Sequence, residues 1–310
     1  MKMTPQTKIV IVGHGDVVEA SLRAHFAARG FQAVASVGAF NPLDMMGTRS
    51  FFEREKPEVV ILGSVRSGGI GINQAQPAEF IHDNLLSEVN VIDAAHRAGV
   101  QKLLFLAASC VYPKDSPQPM KEACFLTGSM EPTSLPYSTA KAAGIVMCQA
   151  YRRQYGFNAI AAVPATVYGA NASTGEDVRM AHVLGALIAK FFRAVKEGEE
   201  AVELWGTGEA RREFIFGEDL AAACVCLLEN YDGEELINIG AGEDIAIKDL
   251  AGIVKDVSGF SGQIVWDRSK PDGAARKLLD SSRLLSMGWK PKVSLTEGIT
   301  RTFEVMRRTE

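Results

Sequence analysis

The sequence predicts a doubly wound, parallel α/β sheet with a smaller mixed α/β lobe, and three observations carry that reading. Short apolar runs alternate with helical stretches through the first half of the 310-residue chain. Those runs are continuous rather than alternating, as in "KIVIVG" and "PEVVILG", which marks strands buried on both faces. The chain also opens with a strand, a glycine turn and a helix, "KIVIVGHGDVVEASLRAHF". Repeated β-α units of this kind place ligands outside the carboxyl ends of the strands.

Taken in order, 8–13 reads as a strand, 16–29 as a helix and 31–37 as a second strand. A helix near 48–55 and the strand 57–63 follow. A long helix spans about 77–98 and stops at Gly99, a residue type that accepts the left-handed turn after a helix. Then come a strand at 102–109, a helix at about 136–155 and a strand at 158–165. After Gly169 the pattern loosens into a loop (170–177), a helix (178–197) and the stretch 201–216, which reads as an inserted lobe. A helix at 217–230 and the strand 235–240 return to the sheet. The expected division is 1–169 plus about 213–240 for the dinucleotide-binding domain, and 170–212 plus about 241–310 for the substrate lobe.

Composition excludes several classes. A hydrophobic fraction of 47% supports a large core, while a net charge of −4 without a basic run gives no footprint for nucleic acid. No apolar run approaches the ~20 residues needed to span a bilayer. The N-terminus enters a strand directly, without the apolar segment of a signal peptide. Five scattered cysteines, including the C-x-C pair Cys224 and Cys226, lack the spacing of a zinc site and point to a reducing cytoplasm without a metal.

The strongest chemical signal is "PYSTAKAAG", in which Tyr137 and Lys141 stand four residues apart on one helix face. An ammonium beside a phenol favours the phenolate, so Tyr137 is expected to exchange a proton with a carbonyl or hydroxyl near neutral pH. The bland counterpart is a chance Y-x-x-x-K on an amphipathic helix.

With "LLFLAASCVYPK", "EPTSLPYSTAKAAGIVMCQAYRRQYG", "TVYGAN", "RREFIFGEDLAAA" and "SKPDGAARKLLD", the chain resembles the GDP-L-fucose synthase family from about residue 8 to 305. That resemblance implies a Rossmann-like, extended short-chain dehydrogenase/reductase fold and a homodimer. It also implies a GDP-linked 4-keto-6-deoxyhexose as substrate, epimerised at carbons 3 and 5 and then reduced with NADPH. Tyr137 is then the proton donor to the 4-oxygen and Lys141 the holder of the nicotinamide ribose. Cys110 and His182 match the acid/base pair of epimerisation. The GDP side falls to Val183, Leu187, Trp205, Arg212 and Lys277; Asp272 and Gly273 make at least a turn.

Three departures fall on the redox half. Gly13 is kept, but Asp16 and Glu19 stand at the second and third glycines of the family's loop, with Gly15 as an extra one. The serine of the Ser-Tyr-Lys set falls at Ala108, and Ser109 beside it is expected to face away by strand alternation. The family's arginines for the NADP 2′-phosphate align with Gly15 and Val37, and no acidic residue ends the second strand. The D-x-x-E spacing of Asp16 and Glu19 is that of a capping box, so the helix is expected to satisfy its own N–H groups where a pyrophosphate would bind. Alternatively, Gly13 and Gly15 make the turn and both carboxylates rotate to solvent. The resulting expectation is C3/C5 epimerisation with NADP(H) reduction weakened or lost. The rivals are a complete NADPH-dependent epimerase/reductase, a non-catalytic nucleotide-sugar-binding or scaffolding homologue, and an enzyme for another nucleotide sugar.

Overall fold

Four consecutive buried residues, Ile9–Val12, form β1, an interior strand of a six-stranded sheet in the computed structural model. It describes residues 1–31, 33–35, 38–169, 182–270 and 272–309. From β1 the chain runs through α1 (Val17–Ala28) to β2 (Ala33–Ala35), then through α2 (Met45–Glu55) to β3 (Val59–Leu62). The short α3 (Ile70–Ala75) and the long α4 (Pro77–Arg97) precede β4 (Lys102–Leu106). Helix α5 (Leu135–Tyr155) leads to β5 (Ala159–Pro164) and β6 (Thr166–Tyr168).

The sheet is completed from the far side of a second lobe. That lobe supplies α6 (Val183–Glu197), β7 (Ala201–Trp205) and β8 (Arg211–Phe216) before α7 (Gly217–Asn230) returns to β9 (Ile237–Ile239). The remainder is β10 (Asp244–Ala246), α8 (Ile247–Ser258), β11 (Gln263–Asp267), β12 (Arg276–Lys277), α9 (Ser282–Ser286) and α10 (Leu295–Thr309). The main sheet has the order β2-β1-β3-β4-β5-β9, with every pairing parallel. Because β2 lies on one side of β1 and β3 on the other, the strand order reverses at the carboxyl end of β1, where such sheets bind ligands.

Continuous apolar runs behave as their burial requires. Residues 59–62 of β3 and 103–106 of β4 are inaccessible or nearly so, and helices cover both faces. Gly99 takes φ +75 just past the Ala98 cap of α4, the conformation for which glycine pays no Cβ penalty. Two apolar cores form. One surrounds the main sheet and includes Leu279, Leu284 and Trp289 from the C-terminal segment. The other joins α6, α8 and α10 with Tyr168, Phe214 and Phe216.

One expected strand is cut short and another is described only in part. The run 102–109 ends at Leu106, since Ser109–Val111 coil into a 3₁₀ turn. Of 31–37, Ala33–Ala35 is strand, and Val37 lies outside the described residues. The segment 170–181, which includes the start of the expected 178–197 helix, also lies outside them. Among the described residues, no helix is long and apolar enough to cross a membrane.

Candidate active site

Parallel strands place their carboxyl ends on one edge, so Gly13, Gly63–Ser64 and the Ser109–Val111 turn converge there from β1, β3 and β4. Helix α1 begins at this edge, and its first turn carries the free N–H groups that ordinarily attract an anion. Here two of them are taken. The Oδ1 atom of Asp16, the N-cap, accepts from Val18 N at 3.1 Å and from Glu19 N at 3.0 Å. Glu19 Oε2 accepts from Gly15 N at 3.0 Å, one residue upstream of the cap rather than at the cap itself. Gly15 adopts φ +80, which an L side chain resists.

Glu19 is 2% exposed and folds back beneath the turn, so the rotation of both carboxylates into solvent does not occur. A Cβ on Gly13 would lie 2.9 Å from Glu19 Oε2, so the carboxyl fills the space behind the loop. Burial raises the Glu19 pKa, Gly15 N–H opposes this, and the Asp16 charge adds to it. Its Oε1 atom is buried without a hydrogen-bond partner.

Tyr137 and Lys141 share one face of α5, but their relation differs from the expected one. The Lys141 ammonium has no exposed surface; it lies 3.1 Å from Glu88 Oε1 on α4 and donates to Gly63 O at 3.2 Å. It also sits 4.6 Å from the centre of the Phe105 ring. Its charge is therefore met by Glu88, whose own pKa burial pushes up to about 7 against the pull of Lys141. Tyr137 is correspondingly not driven toward the phenolate. Burial raises its pKa, the neighbouring Cys110, Glu88 and Asp16 add to the rise, and a hydrogen bond with Ser64 opposes it. That bond joins Ser64 Oγ to Tyr137 Oη at 2.9 Å. Neither Ser64 nor Glu88 was singled out from sequence; the one available signal was Ser64's place just beyond the end of β3.

The epimerisation candidates occupy the same cleft. Cys110 lies in the 3₁₀ turn after β4, half-buried, and His182 is the exposed N-cap residue of α6. His182 is reached by solvent yet crowded by protein, and this desolvation lowers its pKa; Asp16 pulls the other way, while His14 and Lys277 reinforce the lowering. Lys277 on β12 is likewise lowered by burial, and Cys110 is the largest influence opposing that. Lys277 thus stands within electrostatic reach of both Cys110 and His182. It is the register partner of Arg212 on β8. With Ser109, Thr166 and Glu213 it lines a small cavity, and Ser109 sits in a 3₁₀ turn, where strand alternation does not apply.

The remaining expected ligands are spread over the second lobe. Burial lowers the Arg212 pKa, and Glu131 and Asp272 counter it. Its Nη1 donates to Arg211 O at 2.7 Å. Trp205, at the end of β7, is 53% exposed with the Lys270 ammonium 5.5 Å from its ring centre, so it is not a core tryptophan. Val183 is partly buried, whereas Leu187 is 3% exposed and belongs to the second core rather than to an open wall. Asp272 accepts from Thr207 N at 2.7 Å and from Thr207 Oγ1 at 2.8 Å, and Gly273 takes φ +74, so Asp272 clamps the Thr207 segment rather than closing a local turn. Among the described residues no group of acidic, histidine and cysteine side chains could hold a metal ion.

Comparison with known proteins adds a separate line. The family model described as NAD dependent epimerase/dehydratase family matches residues 15–240. The chain is 46% identical to GDP-L-fucose synthase 1 of Arabidopsis thaliana over 300 residues, covering 96% of this chain and 92% of that protein. It is 38% identical to GDP-L-fucose synthase of Escherichia coli K12, covering 96% and 95%. Among solved structures, the GDP-6-OMe-4-keto-L-xylo-heptose reductase of C. jejuni superimposes with a TM-score of 0.93 at 33% identity, covering 99% of each chain. The GDP-mannoheptose C4 reductase of Campylobacter jejuni, solved with NADP bound, gives 0.88 at 34% identity, covering 99% of this chain and 100% of that one.

Proposed function

We infer the function from membership: the chain belongs to the NAD dependent epimerase/dehydratase family and, within it, to the GDP-L-fucose synthases. It is an enzyme that epimerises a GDP-linked 4-keto-6-deoxyhexose at carbons 3 and 5. The observation that carries this reading is the convergence of Cys110, Tyr137 and His182, from three separate elements, on a cleft in which Lys277 reaches Cys110 and His182 alike.

The chemistry follows from the ketone. A thiolate at Cys110 takes the proton from a carbon beside the carbonyl, and the C–H electrons move to the 4-oxygen as an enolate. Tyr137, kept protonated, donates a hydrogen bond to that oxygen. The His182 imidazolium returns a proton on the opposite face, leaving neutral imidazole and a thiol. Its lowered pKa makes it a stronger acid than free imidazole. Arg212 and Lys277, side by side, suit the GDP diphosphate, and Trp205 offers an open face to the base. Val183 and Leu187 shape that side through α6.

The family implies NADP(H), but residues 13–19 do not fit its diphosphate. The amides of Gly15, Val18 and Glu19 are held by carboxylates, and an Asp16 charge ~5 Å from a phosphate costs on the order of 3 kcal/mol at an effective dielectric of ~20. Hydride transfer is therefore weakened or lost. The fully buried Lys141 ammonium, the family's holder of the nicotinamide ribose, is engaged by Glu88 and the Gly63 carbonyl. Five free cysteines accord with a reducing cytoplasm, and the exposed Val89, Val146 and Tyr155 on α4 and α5 with a homodimer through those helices.

Incubating the GDP-4-keto-6-deoxyhexose with the protein in D2O tests the reading, with deuterium expected at carbons 3 and 5. Unlabelled sugar, despite measurable GDP-sugar binding, would leave a binding protein instead. A complete epimerase/reductase is the second reading, favoured by relatives that include one solved with NADP. Loss of NADPH absorbance on adding substrate would select it.

A further inference from the structure

The position that the family's serine would occupy, Ala108, carries no hydroxyl, yet the Tyr137 phenol is not left without one. We propose that Ser64 is the positioning residue that fixes the Tyr137 hydroxyl over the keto oxygen, recruited from the end of β3 in place of a serine at the end of β4. The proposal rests on the epimerase reading above.

Geometry supports it at three points. Ser64 Oγ lies 2.9 Å from Tyr137 Oη, a bond that connects the sheet edge to the helix carrying the phenol. Ser64 is itself held, because its carbonyl can only accept and His14 Nδ1 lies 2.8 Å away, so the imidazole donates to it. The adjacent Gly63 carbonyl takes the Lys141 ammonium at 3.2 Å. One dipeptide at the end of β3 therefore fixes both residues of the Tyr-Lys pair.

Hydrogen-bond accounting sets the direction. A phenol has one hydrogen to give, and an enolate oxygen needs it. When Ser64 Oγ–H donates to Tyr137 Oη, the tyrosine keeps its own hydrogen for the sugar, and the two bonds polarise in series. The Phe80 ring, edge-on at 6.0 Å from the Tyr137 ring, restricts the remaining freedom of the phenol.

The test compares wild type with Ser64→Ala, Ser64→Thr and the double variant Ser64→Ala with Ala108→Ser. Deuterium exchange into the GDP-4-keto sugar is followed over substrate concentration. Ser64→Ala should lower kcat for exchange about tenfold with little change in KM, as loss of one positioned hydrogen bond implies. Ser64→Thr should keep most of the rate, and the second-site serine should restore it, which a merely structural role of Ser64 would not allow. Wild-type exchange with an unaffected Ser64→Ala, or without rescue by either hydroxyl, overturns the proposal and leaves the epimerase reading standing.

A second readout needs no substrate. In protein labelled at the tyrosine Cζ carbon, the resonance that Tyr137→Phe removes should move in Ser64→Ala and return in Ser64→Thr. If wild type is inert toward the sugar, the epimerase reading falls, and with it the catalytic part of the proposal. An unmoved resonance overturns the hydrogen bond itself.

Discussion

Asp16 acts at more than one place. Its carboxylate caps α1, and its charge also raises the pKa of His182 against the burial that lowers it. Removing the charge therefore lowers the His182 pKa further. In the proposed mechanism His182 is the acid, so the rate of exchange is lost as pH rises through that pKa. Asp16→Asn should move this alkaline limb to lower pH, read from the pH profile of deuterium incorporation; an unmoved limb would separate the loop from the acid. Glu213 offers a second residue-scale case. It is 2% exposed, accepts from Leu279 N and Gly242 N, and is pushed up from 4.5 to about 7, chiefly by burial. The folded protein then binds this proton more tightly than the unfolded chain between those two values. Its contribution is most favourable below pH 4.5 and declines as pH rises to 7. Relative to wild type, Glu213→Gln should gain on the order of 3 kcal/mol between pH 4.5 and 7.5, whatever fixed offset the amide introduces. Urea denaturation at the two pH values measures it, and parallel curves would deny the shift.

At the scale of elements, the buried Lys141–Glu88 pair ties α5 to α4. Replacing Glu88 by Leu leaves an ammonium in the core without its counter-charge, a change that costs about 3–5 kcal/mol. The urea midpoint should fall accordingly, whereas an unchanged midpoint would mean that Lys141 finds other relief. This pair shows where sequence reading stops. Helix α7 was expected at 217–230 and is Gly217–Asn230, because its apolar period and flanking signals are local. The Tyr137–Lys141 spacing was equally visible, but the groups that set its electrostatics were not. Glu88 and Ser64 meet the pair only through the tertiary fold, and the phenolate expectation failed for that reason. Strand alternation does not apply to Ser109, because the strand ends at Leu106, three residues before the sequence reading, and Ser109 opens a 3₁₀ turn. By contrast, the capping role of Asp16 was legible in full, since a cap and its donors lie within four residues. Glu19 reaching Gly15 instead of the cap residue was not, because Gly15 alone makes that turn possible.

For the whole molecule, two charge arrangements decide what the fold can do. The second lobe brings Arg212 and Lys277 into register on β8 and β12, the pair to which the proposed function gives the nucleotide diphosphate. The opening turn holds the Asp16 and Glu19 carboxylates on the amides of Gly15, Val18 and Glu19. On the proposed reading, one phosphate site is receptive and the other is opposed by charge. Exposed apolar positions on α4 and α5 are the surface proposed for a second copy. Val89→Asp with Val146→Asp should convert a dimer into monomers by sedimentation velocity, and a persistent dimer would place the interface elsewhere. Calorimetric titration with NADPH probes the central claim most directly. Wild type is predicted to bind at least about 100-fold more weakly than Asp16→Gly with Glu19→Gly, as the ~3 kcal/mol charge term implies. Tight binding by wild type, unchanged in the double variant, would contradict it.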